Sequence, residues 1–133
     1  MNRIVLDSSA VLAMIQAEPG GERVDALLDQ AEVDSDVEIF ISTVNWSEIL
    51  TRLLRNGVEI TSDWLSSVLP VVEVLPFVVE EAEVAAALAR GCPSLSLGDR
   101  ACLALTQRRG ATAWTTDRIW AQLDHGVAVE ILR

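Results

Sequence analysis

The sequence predicts an α/β fold, in which a central, mostly parallel sheet is covered by helices on both faces. Half of the residues are apolar while only 5% are aromatic, a balance that suits aliphatic packing in helices and buried strands better than a β-sandwich. Short β-branched runs alternate with longer stretches of helical periodicity, and that order calls for right-handed crossovers and a parallel sheet. A length of 133 residues supports one hydrophobic core, so the whole chain, 1–133, is expected to form a single domain.

The elements follow in order. Residues 3–6 (RIVL) read as a strand ended by Asp7, and Ser8 or Ser9 can cap a helix over AVLAMIQA before Pro19-Gly20-Gly21 breaks the chain. From Glu22 to Ala31 the apolar residues Val24, Leu27, Leu28 and Ala31 recur at helical spacing, and the acidic stretch 32–38 reads as a loop. IFIS (39–42) is a second strand; Thr43 or Asn45 starts a helix carrying Trp46, Ile49, Leu50, Leu53 and Leu54, which Asn56-Gly57 stops. A helix from Thr61 to Leu69, a strand over 71–75 and an alanine-rich helix from Val79 to Arg90 come next, the last closed by Gly91 with Pro93 beyond. Gly98-Asp99 opens a helix that runs to Arg109 and ends at Gly110; 111–115 is a strand, Asp117 starts a short helix, and 127–132 is a final strand.

Composition removes several kinds of chemistry. All ten basic residues are Arg, so mechanisms that need a lysine, such as a P-loop NTPase, a Schiff-base enzyme or a phospho-acceptor receiver, are excluded. The lone His125 excludes a two-histidine ribonuclease. Cys92 and Cys102 stand apart without a CxxC or a neighbouring His, which favours two reduced, buried thiols over a disulfide framework or a zinc site. Asp7 interrupts the first apolar stretch too early for a signal-peptide core, and no apolar run reaches spanning length, so no membrane association and a cytoplasmic location are expected.

What remains is a set of acids. Asp7 ends the first strand, Glu48 lies in the first turns after the second, Asp99 opens a helix and Asp117 follows the strand ATAWT, so all four map to the carboxyl edge of the sheet, where ligands of such folds collect. Each has an ordinary reading as a helix cap or, for Glu48, as an exposed ion pair with Arg52 one turn on. Carboxylates crowded at one edge repel one another, however, and a hard cation offsets that charge. Oxygen-only ligands favour Mg²⁺ or Mn²⁺, and such an ion can polarise a phosphodiester and lower the pKa of a water, which accounts for chemistry without His or Lys.

DSSAVL at the start, VNWSEIL around Glu48, LSLGDRACLAL around Asp99 and TTDRIW around Asp117 together resemble PIN-domain proteins of the VapC toxin type, over nearly the whole chain. The resemblance implies a PIN-like three-layer α/β/α sandwich with a sheet of four to five strands. It also implies a metal-dependent endoribonuclease that cleaves cellular RNA, inhibits growth and is neutralised by a cognate antitoxin. By the same match Asp7, Asp99, Glu48 and Asp117 take the catalytic and metal-binding roles, with Asp117 acting through water, and Ser9 and Thr115 stand at supporting hydroxyl positions.

The net charge of −10 sits awkwardly with RNA binding, whose affinity comes largely from neutralised phosphates. Arg52, Arg55, Arg100 and Arg118 lie within a few residues of the acids and are the candidates for RNA or antitoxin contacts, with ordinary salt bridges as the alternative. Trp46 and Trp114 have core spacing. An apolar, acidic chain of this size suggests covered surface, hence a homodimer bound to a partner segment that carries Arg or Lys into the acidic site. Two rivals stand beside this reading. An aspartyl-nucleophile phosphatase looks for a second acid where this chain has Ser9, and a non-cleaving PIN-like RNA- or protein-binding module typically lacks one or more of the acids.

Overall fold

Alternation along the strands sorts the core into two halves. The structure is a computed structural model that describes residues 1–68 and 70–133. Its strands β1 (Asn2–Leu6), β2 (Val37–Ser42), β3 (Val72–Leu75), β4 (Thr112–Thr115) and β5 (Val129–Ile131) form one sheet in the order β3-β2-β1-β4-β5, with every pairing parallel. Successive side chains point to opposite faces, so Ile4, Leu6, Ile39 and Ile41 fall in one cluster while Val5, Phe40 and Ala113 fall in the other.

Helices cover both faces. The first cluster is completed by α1 (Ser8–Ile15), α2 (Gly21–Val33) and α3 (Thr43–Arg55) through Ala10, Val11, Val24, Leu27, Leu28, Ile49 and Leu53. The second is completed by α6 (Leu97–Arg109) and a short 3₁₀ helix (Arg118–Gln122), through Cys102, Leu103, Leu105 and Trp120, with α5 (Val79–Gly91) packed on α6. A further helix, α4 (Ser62–Val68), precedes β3. The result is the expected three-layer α/β/α sandwich, with five parallel strands.

Strand order fixes where a site can form. The chain builds outward from β1 to β2 and β3, then returns to set β4 on the other side of β1, so its direction reverses between β1 and β4. The carboxyl ends of those two strands are joined directly, the Asp7 amide donating to the Trp114 carbonyl at 3.0 Å. A crevice outside such a switch point is the usual ligand position in parallel sheets.

Several boundaries differ from the sequence reading. The stretch 32–38 is mostly ordered: α2 continues through Val33, which is 88% exposed and so carried no burial signal, and β2 already begins at Val37. Asp7, not Ser8 or Ser9, occupies the N-cap position of α1. Ser42 caps α3, its Oγ accepting the Val44 amide at 3.2 Å, and α6 starts at Leu97 behind Ser96. The last strand spans only Val129–Ile131, and the predicted end of the Thr61–Leu69 helix, Leu69, lies outside the described residues. The Pro19-Gly20-Gly21 break makes a tight junction: Gly20 has φ +94°, and a Cβ on Gly21 would collide with the Ala13 carbonyl.

Trp46 and Trp114 pack against the first cluster, and both cysteines are free and buried, as expected. Among the described residues no helix is long and apolar enough to cross a membrane.

Candidate active site

Asp7 is the centre of the carboxyl edge. It leaves β1 in extended conformation at the N-cap of α1, yet its side chain caps nothing. Its carboxylate faces inward instead: Ser9 Oγ donates to Oδ2 at 2.7 Å and Thr115 Oγ1 donates to the same oxygen at 2.9 Å. Each hydroxyl oxygen in turn accepts a backbone amide, from Thr116 and Asp117 respectively, both at 3.1 Å, so the one proton each carries is free to point at Asp7. Oδ1 of Asp7 is buried and has no hydrogen-bond partner among the described residues.

An acid held this way resists ionisation. Burial, above all, raises the Asp7 pKa from its ordinary 3.8 to about 7; the Ser9 and Thr115 hydrogen bonds pull it down, while the charges of Asp99 and Glu48 push it further up. The Cys102 thiol on α6 is held well above the ordinary range by burial first and by Asp7 next, which leaves it protonated and a poor nucleophile.

Glu48 reaches the same edge from α3. No ion pair joins it to Arg52 among the described residues; its Oε1 accepts from the Asn45 amide nitrogen at 3.0 Å. Asn45 is fully buried and also donates to the Gly98 carbonyl at 3.0 Å, so it ties α3 to the start of α6. Gly98 receives the Glu48 carboxylate against its own Cα, where a Cβ would overlap both carboxylate oxygens. The sequence offered Asn45 only as a helix start and Gly98 only as a helix opener. A contact between residues 45 and 98 leaves no periodic signal in either segment.

Asp99 and Asp117 keep the ordinary roles that their positions suggested. Asp99 belongs to a capping box: its Oδ2 accepts the Ser96 amide at 3.0 Å and its own amide donates to Ser96 Oγ at 3.2 Å. Asp117 is exposed, and its Oδ1 caps the 3₁₀ helix by accepting the Ile119 amide at 3.1 Å. The structure therefore brings Glu48 and Asp99 within electrostatic reach of Asp7 and leaves Asp117 exposed on the rim. Among the described residues no three His, Cys, Asp or Glu side chains converge closely enough to hold an ion as they stand.

The arginines divide. Arg100 is not available at the rim, because its guanidinium donates to the Ala85 carbonyl at 2.9 Å and the Leu95 carbonyl at 3.4 Å, bracing α5 against α6. Arg118 donates through Nε to the Arg133 carbonyl at 2.8 Å. Arg52 and Arg55 make no ion pair among the described residues, and both line a shallow cavity of about 330 Å³ with Ser8, Leu12 and Glu48. A larger cavity, about 420 Å³, lies away from this edge between α5 and α6, beside Glu81 and Arg108.

The donor chemistry fits a hard divalent cation. Every polar side chain that reaches Asp7 offers oxygen, and Asp7 itself presents a buried oxygen with no hydrogen-bond donor. The sequence profile of the PIN domain matches residues 4–126. The chain belongs to the PIN-domain family. Among solved structures, this PIN domain is similar to a toxin–antitoxin complex from Klebsiella pneumoniae, with 15% identity, 98% of each chain covered and a TM-score of 0.73. It is also similar to a VapBC complex from nontypeable Haemophilus influenzae, with 12% identity, 98% of each chain covered and a TM-score of 0.71. A sarcin–ricin-loop-cleaving VapC toxin from Mycobacterium tuberculosis shares 17% identity over 92% of this PIN domain and 97% of that chain, with a TM-score of 0.65. No curated protein matches the sequence.

Proposed function

We propose that this PIN domain is a Mg²⁺- or Mn²⁺-dependent endoribonuclease of the VapC toxin type. The observation that carries the reading is the bare Oδ1 of Asp7, a buried carboxylate oxygen at the switch point with two further acids, Glu48 and Asp99, near enough to raise its pKa. Asp7, Asp99 and Glu48 would hold the ion, with Asp117 at the rim in a supporting role. When bound, the ion supplies charge to the scissile phosphodiester and acidifies a water.

The remaining work falls to the chain's own groups. Ser9 and Thr115 fix the Asp7 rotamer by binding Oδ2, which leaves Oδ1 available to a cation. Asp7 must lose its proton to serve, so ion affinity and cleavage rise with pH up to about 7 and level off above it. Arg52 and Arg55, exposed beside Glu48, pair with RNA phosphates and offset the negative field locally. The cellular partner is a cognate antitoxin segment that brings an Arg or Lys to the acids, bound to a homodimer of this chain; the toxin–antitoxin complexes sharing the fold support the antitoxin partner, and the acidic site itself favours a basic segment.

The test is RNA cleavage by protein free of contaminating nuclease. Excess EDTA stops it, and Mg²⁺ or Mn²⁺ restores it; undiminished cleavage in EDTA contradicts the proposal. Cleavage that never appears, with RNA binding retained, selects the non-cleaving module instead. A monomer by light scattering that co-purifies with nothing when expressed beside its neighbouring gene contradicts the partner assignment.

A further inference from the structure

Among the described residues four uncharged polar side chains are wholly buried: Ser42, Asn45, Thr106 and Thr115. Three have evident local tasks. Ser42 caps α3, Thr106 donates to the Cys102 carbonyl one turn back at 2.7 Å, and Thr115 holds Asp7. Asn45 serves no element of its own. Its side-chain nitrogen stands 3.0 Å from Glu48 Oε1 and 3.0 Å from the Gly98 carbonyl. Both neighbours only accept, so the amide must turn its two N–H groups on them, and its Oδ1 is left buried without a partner. A residue kept only to fill space between two helices would avoid that orphaned oxygen, since an apolar side chain of similar size carries no such cost.

Gly98 constrains the same carboxylate from the other helix. Its φ does not lie in the left-handed region, so the backbone there admits other residues; what a Cβ would meet is the Glu48 carboxylate. Glu48 is otherwise an exposed side chain with three rotatable bonds, and ordering it on ion binding would cost conformational entropy.

We propose that Asn45 is a positioning residue for Glu48, clamping its carboxylate on the bare Cα of Gly98 so that the acid of α3 and the adjacent Asp99 of α6 are held in one frame. The inference rests on the metal-binding role of Glu48 given above. Groups that orient a ligating side chain are typically worth about 10- to 100-fold in metal affinity.

The experiment is calorimetric titration of Mn²⁺ into the RNA-free protein, for the wild type, Asn45→Ala, Glu48→Ala and the double variant. Asn45→Ala is expected to weaken Mn²⁺ binding about tenfold, and to weaken it no further in the Glu48→Ala background, because a clamp has no effect once the side chain it holds is gone. Gly98→Ala reaches the same carboxylate without altering either partner of the hydrogen bond. It should weaken binding comparably and likewise add nothing to Glu48→Ala, whose short side chain leaves room for the new methyl group. It also carries the question if Asn45→Ala does not fold. Binding within twofold of wild type in the folded variants overturns the inference, as does a loss that repeats in full on the Glu48→Ala background. Absence of Mn²⁺ binding by the wild type is a different failure, that of the metal reading itself, and overturns both.

Discussion

Two acids are buried as deeply as the core, and their surroundings are opposite. Glu81 on α5, 1% exposed, places Oε2 3.0 Å from Arg108 Nη1 across the α5–α6 contact. Asp7 at the end of β1, 2% exposed, pairs with no basic side chain among the described residues; it has two hydroxyls on one oxygen and the negative charges of Asp99 and Glu48 beyond. Each acid leaves one oxygen unpartnered, Oε1 in Glu81 and Oδ1 in Asp7. An orphaned oxygen alone therefore does not mark a functional acid. The sign of the nearest charge separates the two: an arginine turns a buried carboxylate into a strut, whereas further acids leave one that a proton or an added cation must neutralise.

The largest effect that distinguishes the two concerns activity. Asp7→Asn should lower RNA cleavage by orders of magnitude, while Glu81→Gln, far from the switch point, should leave the rate per folded molecule within a few-fold; single-turnover cleavage assays read both. Equal losses would erase the contrast.

Next in size is a pH effect on the metal-free protein. Because folding raises the Asp7 pKa from 3.8 to about 7, the native state binds the proton that the unfolded chain releases. The resulting stability is fully present below about pH 4 and is lost as pH rises through 7, by at most ~4 kcal/mol at 1.36 kcal/mol per pH unit. Urea unfolding in EDTA across that range should show the slope in the wild type and lose most of it in Asp7→Asn.

Smaller again is the cost of removing the strut's cation. Arg108→Ala leaves Glu81 buried without its partner, and because Arg108 is itself 46% exposed the loss should fall short of the 3–5 kcal/mol seen for fully buried pairs, at about 2 kcal/mol. Its Mn²⁺ affinity should not change. The smallest effect belongs to the rim. Asp117→Ala should destabilise by about 1 kcal/mol through the lost cap, whereas Asp117→Asn should be nearly neutral and should impair cleavage less than Asp7→Asn; chemical denaturation and the cleavage assay read the two parts separately.

What the sequence made legible follows the same division. Asp7, Asp99 and Asp117 could be placed because each sits beside a strand end or a helix start, where local patterning is strong, and a parallel sheet covered on both faces followed from the alternation of elements; the strand order β3-β2-β1-β4-β5 came from the structure alone. Local patterning could not tell which acids cap a helix: Asp99 and Asp117 do, Asp7 does not, and what holds Asp7 instead includes Thr115, more than a hundred residues away in sequence. A separation of 53 residues likewise hid the contact between Asn45 and Gly98. Arg100 shows the reverse error, since proximity to Asp99 in sequence suggested a rim contact while its guanidinium reaches back to α5. Boundaries slipped where side chains carried no burial contrast, as at Val33, an exposed valine inside a helix end.

The central claim is that Asp7 is an acid kept for a cation at the expense of stability, and thermal unfolding of wild type and Asp7→Asn at pH 8 tests it most directly. In EDTA the wild type carries an ionised, buried Asp7 among like charges, so Asp7→Asn should melt at the higher temperature. Mn²⁺ at a hundred times its dissociation constant should stabilise the wild type by about 2.7 kcal/mol and the variant by far less, closing or reversing that order. Equal metal-induced shifts in the two proteins would contradict the account, because Asp7 would then have no part in holding the ion.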